Sequence, residues 1–170
     1  GGLGEREMFV DENSARIMNT LKSVHFSIAD DLIRNNRKED AVKVLEQARK
    51  EFQYVNAPYY SPNNRFFNIL SVQWIDLYYR ADAGAKAKPI KDLFIKDLKD
   101  CIRFYNLPND FAALYSNEKK SAEELVKRMD MLAIMYKDAE FKKQLYDAFP
   151  GLVQTSTLDP TQPVPMQVFR

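Results

Sequence analysis

Cysteine, histidine, glycine and any bias of charge are all scarce in this 170-residue chain. Cys101 is the single cysteine, so no internal disulfide forms and the redox compartment stays open. His25 is the single histidine, which leaves catalytic triads and the common zinc sites without partners. Five glycines are too scattered for a phosphate-cradling loop, and alternating β-branched runs are few, which argues against sheet. Lys and Arg number 25 against 24 Asp and Glu, interspersed to a net charge of +1, so the chain has no electrostatic footprint for nucleic acid. No apolar run approaches the length that spans a bilayer, so direct membrane insertion by this region is not expected. The opening GGLGEREMF has no apolar core for a signal peptide, and its glycines look foreign to a native start. The chain is therefore expected to be a piece of a longer protein.

What is present is helical periodicity in a chain of ordinary composition, 45% apolar and 29% charged, of a length for one domain. Ile17, Leu21, Val24, Ile28 and Leu32 step by fours and a three, and predict the inner face of a first helix capped by Asp11. Asn35 and Asn36 suit a left-handed stop, and Asn36 with Glu39 predicts a capping box for the next helix. Ala41, Leu45, Ala48 and Phe52 make that helix's stripe, with alanines that allow a close crossing on the first. After a tyrosine- and proline-bearing loop, residues 64–81 are apolar nearly all round and predict a buried central helix. Pro89 opens a fourth helix with Ile90, Phe94, Leu98, Cys101 and Tyr105 inward. A short helix or single turn is predicted after Pro108. Ser121 and Glu124 predict the capping box of a fifth helix carrying Leu125, Met129, Leu132 and Tyr136 inward. A short helix ends at Pro150 and Gly151. The expected organisation is one helical-hairpin domain over 1–150 and an extended tail over 151–170, whose Leu152, Val153, Leu158, Val164, Met166 and Phe169 pack on it.

Helix pairs of this length invite a search for a repeat near ~34 residues. Counted from Lys22, His25, Ile28, Ala29, Leu32, Ala41, Leu45 and Ala48 fall on tetratricopeptide signature positions. A second, degenerate pair keeps the spacing at Trp74, Leu77, Tyr78 and Ala81. The predicted fold is all-α, a right-handed tetratricopeptide-like stack of antiparallel hairpins.

Asp11, Glu12, Asn13 and Arg16, then Leu32 and Ile33, then Ala41, Val44 and Leu45, carry a narrower resemblance, continued by LYYRADAG. The chain resembles, over residues 8–105, the soluble C-terminal region of bacterial multi-spanning membrane proteins similar to protein O-mannosyltransferases. The resemblance implies a periplasmic domain after a membrane-embedded glycosyltransferase-like body. The catalytic acids of such enzymes lie in membrane-proximal loops that this sequence does not contain, so no catalytic residue carries over.

The residues themselves point the same way. His25 and Cys101 read as core side chains, and the pairs Asp30–Asp31, Glu39–Asp40 and Glu123–Glu124 as solvent-facing or first-turn charges that favour helix. No catalytic, metal or cofactor site is expected. The anticipated function is a non-catalytic domain that positions an acceptor or partner (protein, peptide or glycan) for the membrane-embedded portion of its own chain, at the periplasmic face of a bacterial inner membrane. The alternative is a free-standing, cytoplasmic peptide-binding scaffold. The first helices of successive pairs line the concave side of such stacks. Asn13, Arg16 and Asn19, with Asn64, Arg65, Asn68 and Gln73, are accordingly the candidate binding residues, and Tyr59 and Tyr60 form one rim. Tyr54, Phe66, Phe67, Trp74, Tyr78 and Tyr79 complete an aromatic set that core filling explains in large part.

Overall fold

The computed structural model describes residues 10–62, 65–107 and 114–153, with backbone alone at 65 and 66. Among them are six α-helices and no strand: α1 (Glu12–Arg34), α2 (Lys38–Glu51), α3 (Arg65–Arg80), α4 (Lys88–Tyr105), α5 (Ser116–Met135) and α6 (Ala139–Ala148). The all-α class is as expected. The short helix or turn predicted after Pro108, and all of the tail beyond 153, lie outside the described residues.

One local device recurs three times. Past the ends of α1, α3 and α5 the chain turns through a left-handed residue that is not glycine: Asn36 (φ 59°), Asp82 (φ 56°) and Lys137 (φ 54°). Each turn closes with the same two bonds. Asn36, Asp82 and Lys137 donate N–H to Ile33, Tyr79 and Ile134, and the residue after each donates to Leu32, Tyr78 and Ala133. That pairing satisfies two carbonyls a helix end leaves open and reverses the chain within a few residues. The α3–α4 turn then runs on through a short 3-10 segment, Gly84–Ala87. Gly84 is needed there, since a Cβ would sit 2.5 Å from the Tyr79 ring.

α1 packs on α2 and α3, α3 on α4 and α5, and α4 and α5 on each other and on α6. α3 sits at the centre, burying Val72, Trp74, Ile75, Leu77 and Tyr78. Trp74 meets Phe26 of α1 at 5.1 Å between ring centroids and Tyr59 of the loop between α2 and α3 at 5.9 Å. Ala29, Ala41 and Ala48 are wholly buried, and the α2 stripe through Leu45 and Phe52 faces the core as read from the sequence. Charge ties the last hairpin to the second and closes the last hairpin on itself. Lys91 of α4 reaches Asp138 at 2.9 Å, and Lys142 of α6 reaches Asp130 of α5 at 2.5 Å. Burial pushes the Asp138 carboxyl up, but bonds from Lys91, Tyr79 and the Phe141 N–H outweigh it and hold the group below the usual carboxylate range.

Four local expectations are overturned. Ile17, Leu21, Val24 and Ile28 are exposed, and α1 instead buries Met18, Asn19, Lys22, Phe26 and Ala29. Arg37, not Asn36, is the N-cap of α2, because Asn36 is already committed to the left-handed turn. α5 begins at Ser116 rather than near Ser121, whose hydroxyl donates back to the Asn117 carbonyl inside the helix. Asp30 is not a solvent-facing charge but an ion-paired one, as described below. Asp11 does cap α1, accepting the Ser14 N–H at 2.9 Å. Val153 is buried and Leu152 packs against the core.

Candidate functional site

Three helices build one open groove. α1 contributes Asp30 and Arg34, α3 contributes Ile69, Val72, Gln73, Asp76 and Arg80, and α5 contributes Arg128, Met135 and Tyr136, around about 540 Å³ of space. The α3 residues fall at intervals of three, one, three and four, which is one face of a helix. Ile69, Val72 and Met135 make an apolar floor. The walls are charged.

Asp30 lies between two arginines, 2.6 Å from Arg34 on its own helix and 2.6 Å from Arg80 of α3. Arg80 also lies 3.8 Å from Asp76, which accepts the Tyr136 hydroxyl at 2.6 Å. Three helices are thus coupled through two carboxylates. Burial raises the Asp76 carboxyl pKa, against the pull of the Tyr136 bond and the Arg80 charge, and the nearby Asp30 charge adds to the rise. The Asp76 carboxyl is displaced toward the neutral form. Both of its oxygens face protein groups, which suits wall-building better than proton transfer. Gln73 and Arg128 are exposed on the walls, and Arg128 makes no ion pair among the described residues. Three guanidinium groups against two carboxylates give the groove a mild excess of donors and positive charge.

A second, much smaller pocket lies between α1, α3 and the loop over 53–62. It holds about 20 Å³, room for one water, and is lined in part by Asn19, Lys22, Tyr59, Asn68 and Ser71. Asn68 clamps the loop, accepting the Ser61 N–H at 3.0 Å and donating to the Ser61 carbonyl at 2.9 Å. The Ser71 hydroxyl donates to the Tyr59 carbonyl at 2.7 Å. Lys22 is 6% exposed and has no carboxylate partner among the described residues; its ammonium lies 5.8 Å from the Phe52 ring centroid. Burial pulls its pKa down to about 8.

The expected site residues therefore separate. Asn19, Tyr59 and Asn68 meet around the small pocket, while Gln73 stands in the groove. Asn13 and Arg16 are exposed on α1, Arg16 without an ion pair among the described residues. Tyr60 is buried rather than forming a rim, and burial pushes its hydroxyl pKa well up. Tyr59 is buried too, its hydroxyl raised to about 12 by burial. Asn64 lies outside the described residues, and only the backbone of Arg65 falls within them. Tyr54 bonds Asp97 of α4, and Asp97 also accepts the Tyr60 N–H at 3.4 Å, so the aromatic loop is anchored as core. His25 is half-buried rather than sealed in the core, donating to the Leu21 carbonyl at 2.9 Å with its other nitrogen 3.3 Å from Glu51. Sequence reasoning missed Asp30, Arg34, Asp76, Arg80, Arg128 and Tyr136. The polar run Gln73, Asp76, Arg80 on an otherwise apolar helix was the signal that could have found half of the groove.

Among the described residues no three His, Cys, Asp or Glu side chains group to hold a metal ion, and no helix is long and apolar enough to cross a membrane. No protein-family model, no curated protein and no solved structure matches the chain.

Proposed function

We propose that the chain is a non-catalytic interaction domain, a tetratricopeptide-like stack of three helical hairpins that holds an extended partner in the α1–α3–α5 groove. The observation that carries this reading is the groove itself, built from the first helix of each of three pairs whose turns repeat one hydrogen-bond pattern. An apolar floor between walls of guanidinium, amide and carboxylate groups suits a backbone or a glycan, which offers both polar edges and apolar faces. The partner is a protein segment, peptide or glycan acceptor. The resemblance at Asp11–Arg16 and Leu32–Leu45 supports attachment to a membrane-embedded glycosyltransferase-like body at the periplasmic face of a bacterial inner membrane. A free-standing scaffold would use the same groove. The two readings part only at the membrane connection, which fractionation of the full-length parent decides.

Chemical-shift mapping with acceptor peptides and oligosaccharides tests the groove. Perturbations at Gln73, Asp76 and Arg128, lost in Arg128→Glu, are expected. Shifts confined to the outer faces of α4 and α6 would place the partner elsewhere. Glycosyl transfer by the isolated domain that disappears in Asp76→Asn would overturn the non-catalytic reading.

A further inference from the structure

α1 carries a second apolar face that is exposed among the described residues. Ile17, Leu21, Val24 and Ile28 are 61%, 46%, 49% and 46% exposed on successive turns. Large aliphatic side chains scattered singly are normal on a surface, but four in one row are not. They follow the four-three-four spacing of a heptad seam, with Ile17 and Val24 at d and Leu21 and Ile28 at a. The residues along one edge of the row are short. Thr20 and Ser27 lie on its edge, and their hydroxyls are folded back onto the Arg16 and Ser23 carbonyls at 2.9 Å each. A second helix could approach closely there without displacing a long side chain or a bound charge.

We propose that this seam pairs with the same seam of a second copy of the chain, with the two α1 helices antiparallel. Charge decides the direction. A two-fold axis between Leu21 and Val24 sets Ile17 against Ile28 and Leu21 against Val24 of the other copy. In that register Arg16 comes within reach of the other copy's Asp31. Arg16 and Asp31 form no ion pair within the described residues, so these charges are available. A parallel pairing would instead set Asp31 against Asp31. The antiparallel arrangement also opposes the helix dipoles, with unlike ends adjacent. The pairing is isologous and closes on itself, giving a dimer rather than a fibre. It leaves the α1–α3–α5 groove open, because Asp30 and the residues lining that groove lie on another side of α1.

Sedimentation velocity of the intact chain from roughly 1 μM to roughly 1 mM brackets the affinity range of a small apolar seam. A reversible monomer–dimer equilibrium is expected, and Leu21→Asp with Ile28→Asp should abolish it while leaving helical content unchanged, since both side chains are exposed in the monomer. A monomer across the whole range, or a dimer that survives the double substitution, overturns the proposal. Direction is read separately by spin labels at position 34 in a Cys101→Ser background. The antiparallel dimer places the two labels about 35 Å apart along the helix axes, from 1.5 Å per residue. A separation of about 10 Å would show parallel pairing and overturn the assignment.

Discussion

The two halves of the first hairpin teach opposite lessons. α2 has a single apolar stripe, and the fold buries it: Ala41, Leu45 and Ala48 have no exposed surface. α1 has two, and the one with the larger aliphatic residues is the one left outside. Its buried face carries Phe26, Ala29 and Met18 but also Asn19 and Lys22, which disguise it. The difference comes from what each face must meet. α3 presents Trp74, and Phe26 fits against it; Ala29 keeps the helix axes close. Periodicity says that a face is apolar and cannot say which of two apolar faces has a neighbour.

The sharpest test of that comparison sets the two faces of α1 against each other. Phe26→Ala should cost about 3–5 kcal/mol of unfolding free energy, because the cavity opens beside Trp74 in a packed core. Ile28→Ser in the monomer should cost within about 0.5 kcal/mol. Urea denaturation at low micromolar concentration measures both. Similar losses from the two substitutions would mean that the inner and outer faces are wrongly assigned.

Lys22 sharpens the comparison from the other side, since it is a charge on the buried face. Its folded pKa of about 8 lies below the unfolded value near 10.5, so the penalty for burying the ammonium is fully present below pH 8. Between those values the unfolded chain binds more protons, and stability rises with pH. Lys22→Met keeps the apolar stem that lines the pocket and removes the charge. It should stabilise the chain by roughly 2–3 kcal/mol at pH 7, with the gain shrinking toward pH 10. Taking the difference between the two proteins cancels the titration of Tyr59 and the other tyrosines. A gain independent of pH would show that the Lys22 ammonium reaches water freely.

The α1–α2 contact offers a smaller effect. Ala41→Leu adds volume where Ala41 has none to spare, and should cost roughly 1–3 kcal/mol by overpacking. Unchanged thermal unfolding of this variant would refute a close crossing at Ala41.

These effects mark where the sequence was readable. The central helix, the alanine crossing, the Asp11 cap and the stop at Asn36 follow from local chemistry, and the structure has each of them. The start of α5 did not follow, because a serine three residues before a glutamate is equally at home inside a helix, where Ser121 bonds back to Asn117. The groove was legible only on α3. Asp30, Arg80 and Arg128 stand about fifty residues apart along the chain, and only packing brings their helices together. Asn68 looked like a ligand-binding amide and serves as a loop clamp, since nothing local announces that Ser61 turns back to meet it.

The finest comparison is among the three left-handed turns, which share geometry and hydrogen bonds but not residue type. A left-handed backbone costs an ordinary residue about 1–2 kcal/mol, and asparagine or aspartate less, because their short polar side chains tolerate that region. Glycine has no such penalty but loses about 0.5–1 kcal/mol more backbone entropy on folding. Lys137 has neither advantage at φ 54°, so Lys137→Gly should stabilise the chain by about 0.5–1 kcal/mol. Asn36→Gly at φ 59° should change stability little or lower it, and Asp82→Gly at φ 56° should fall between once its 2.7 Å contact with Lys38 is removed. Lys38→Ala as a background isolates the backbone part at Asp82, because the ion pair is exposed and contributes at most about 1 kcal/mol. Melting curves of the three glycine variants rank the turns directly. Equal shifts at all three would mean that residue type is irrelevant to the turn, and a loss in Lys137→Gly would mean that its side chain holds the last hairpin by a contact stronger than the strain it relieves.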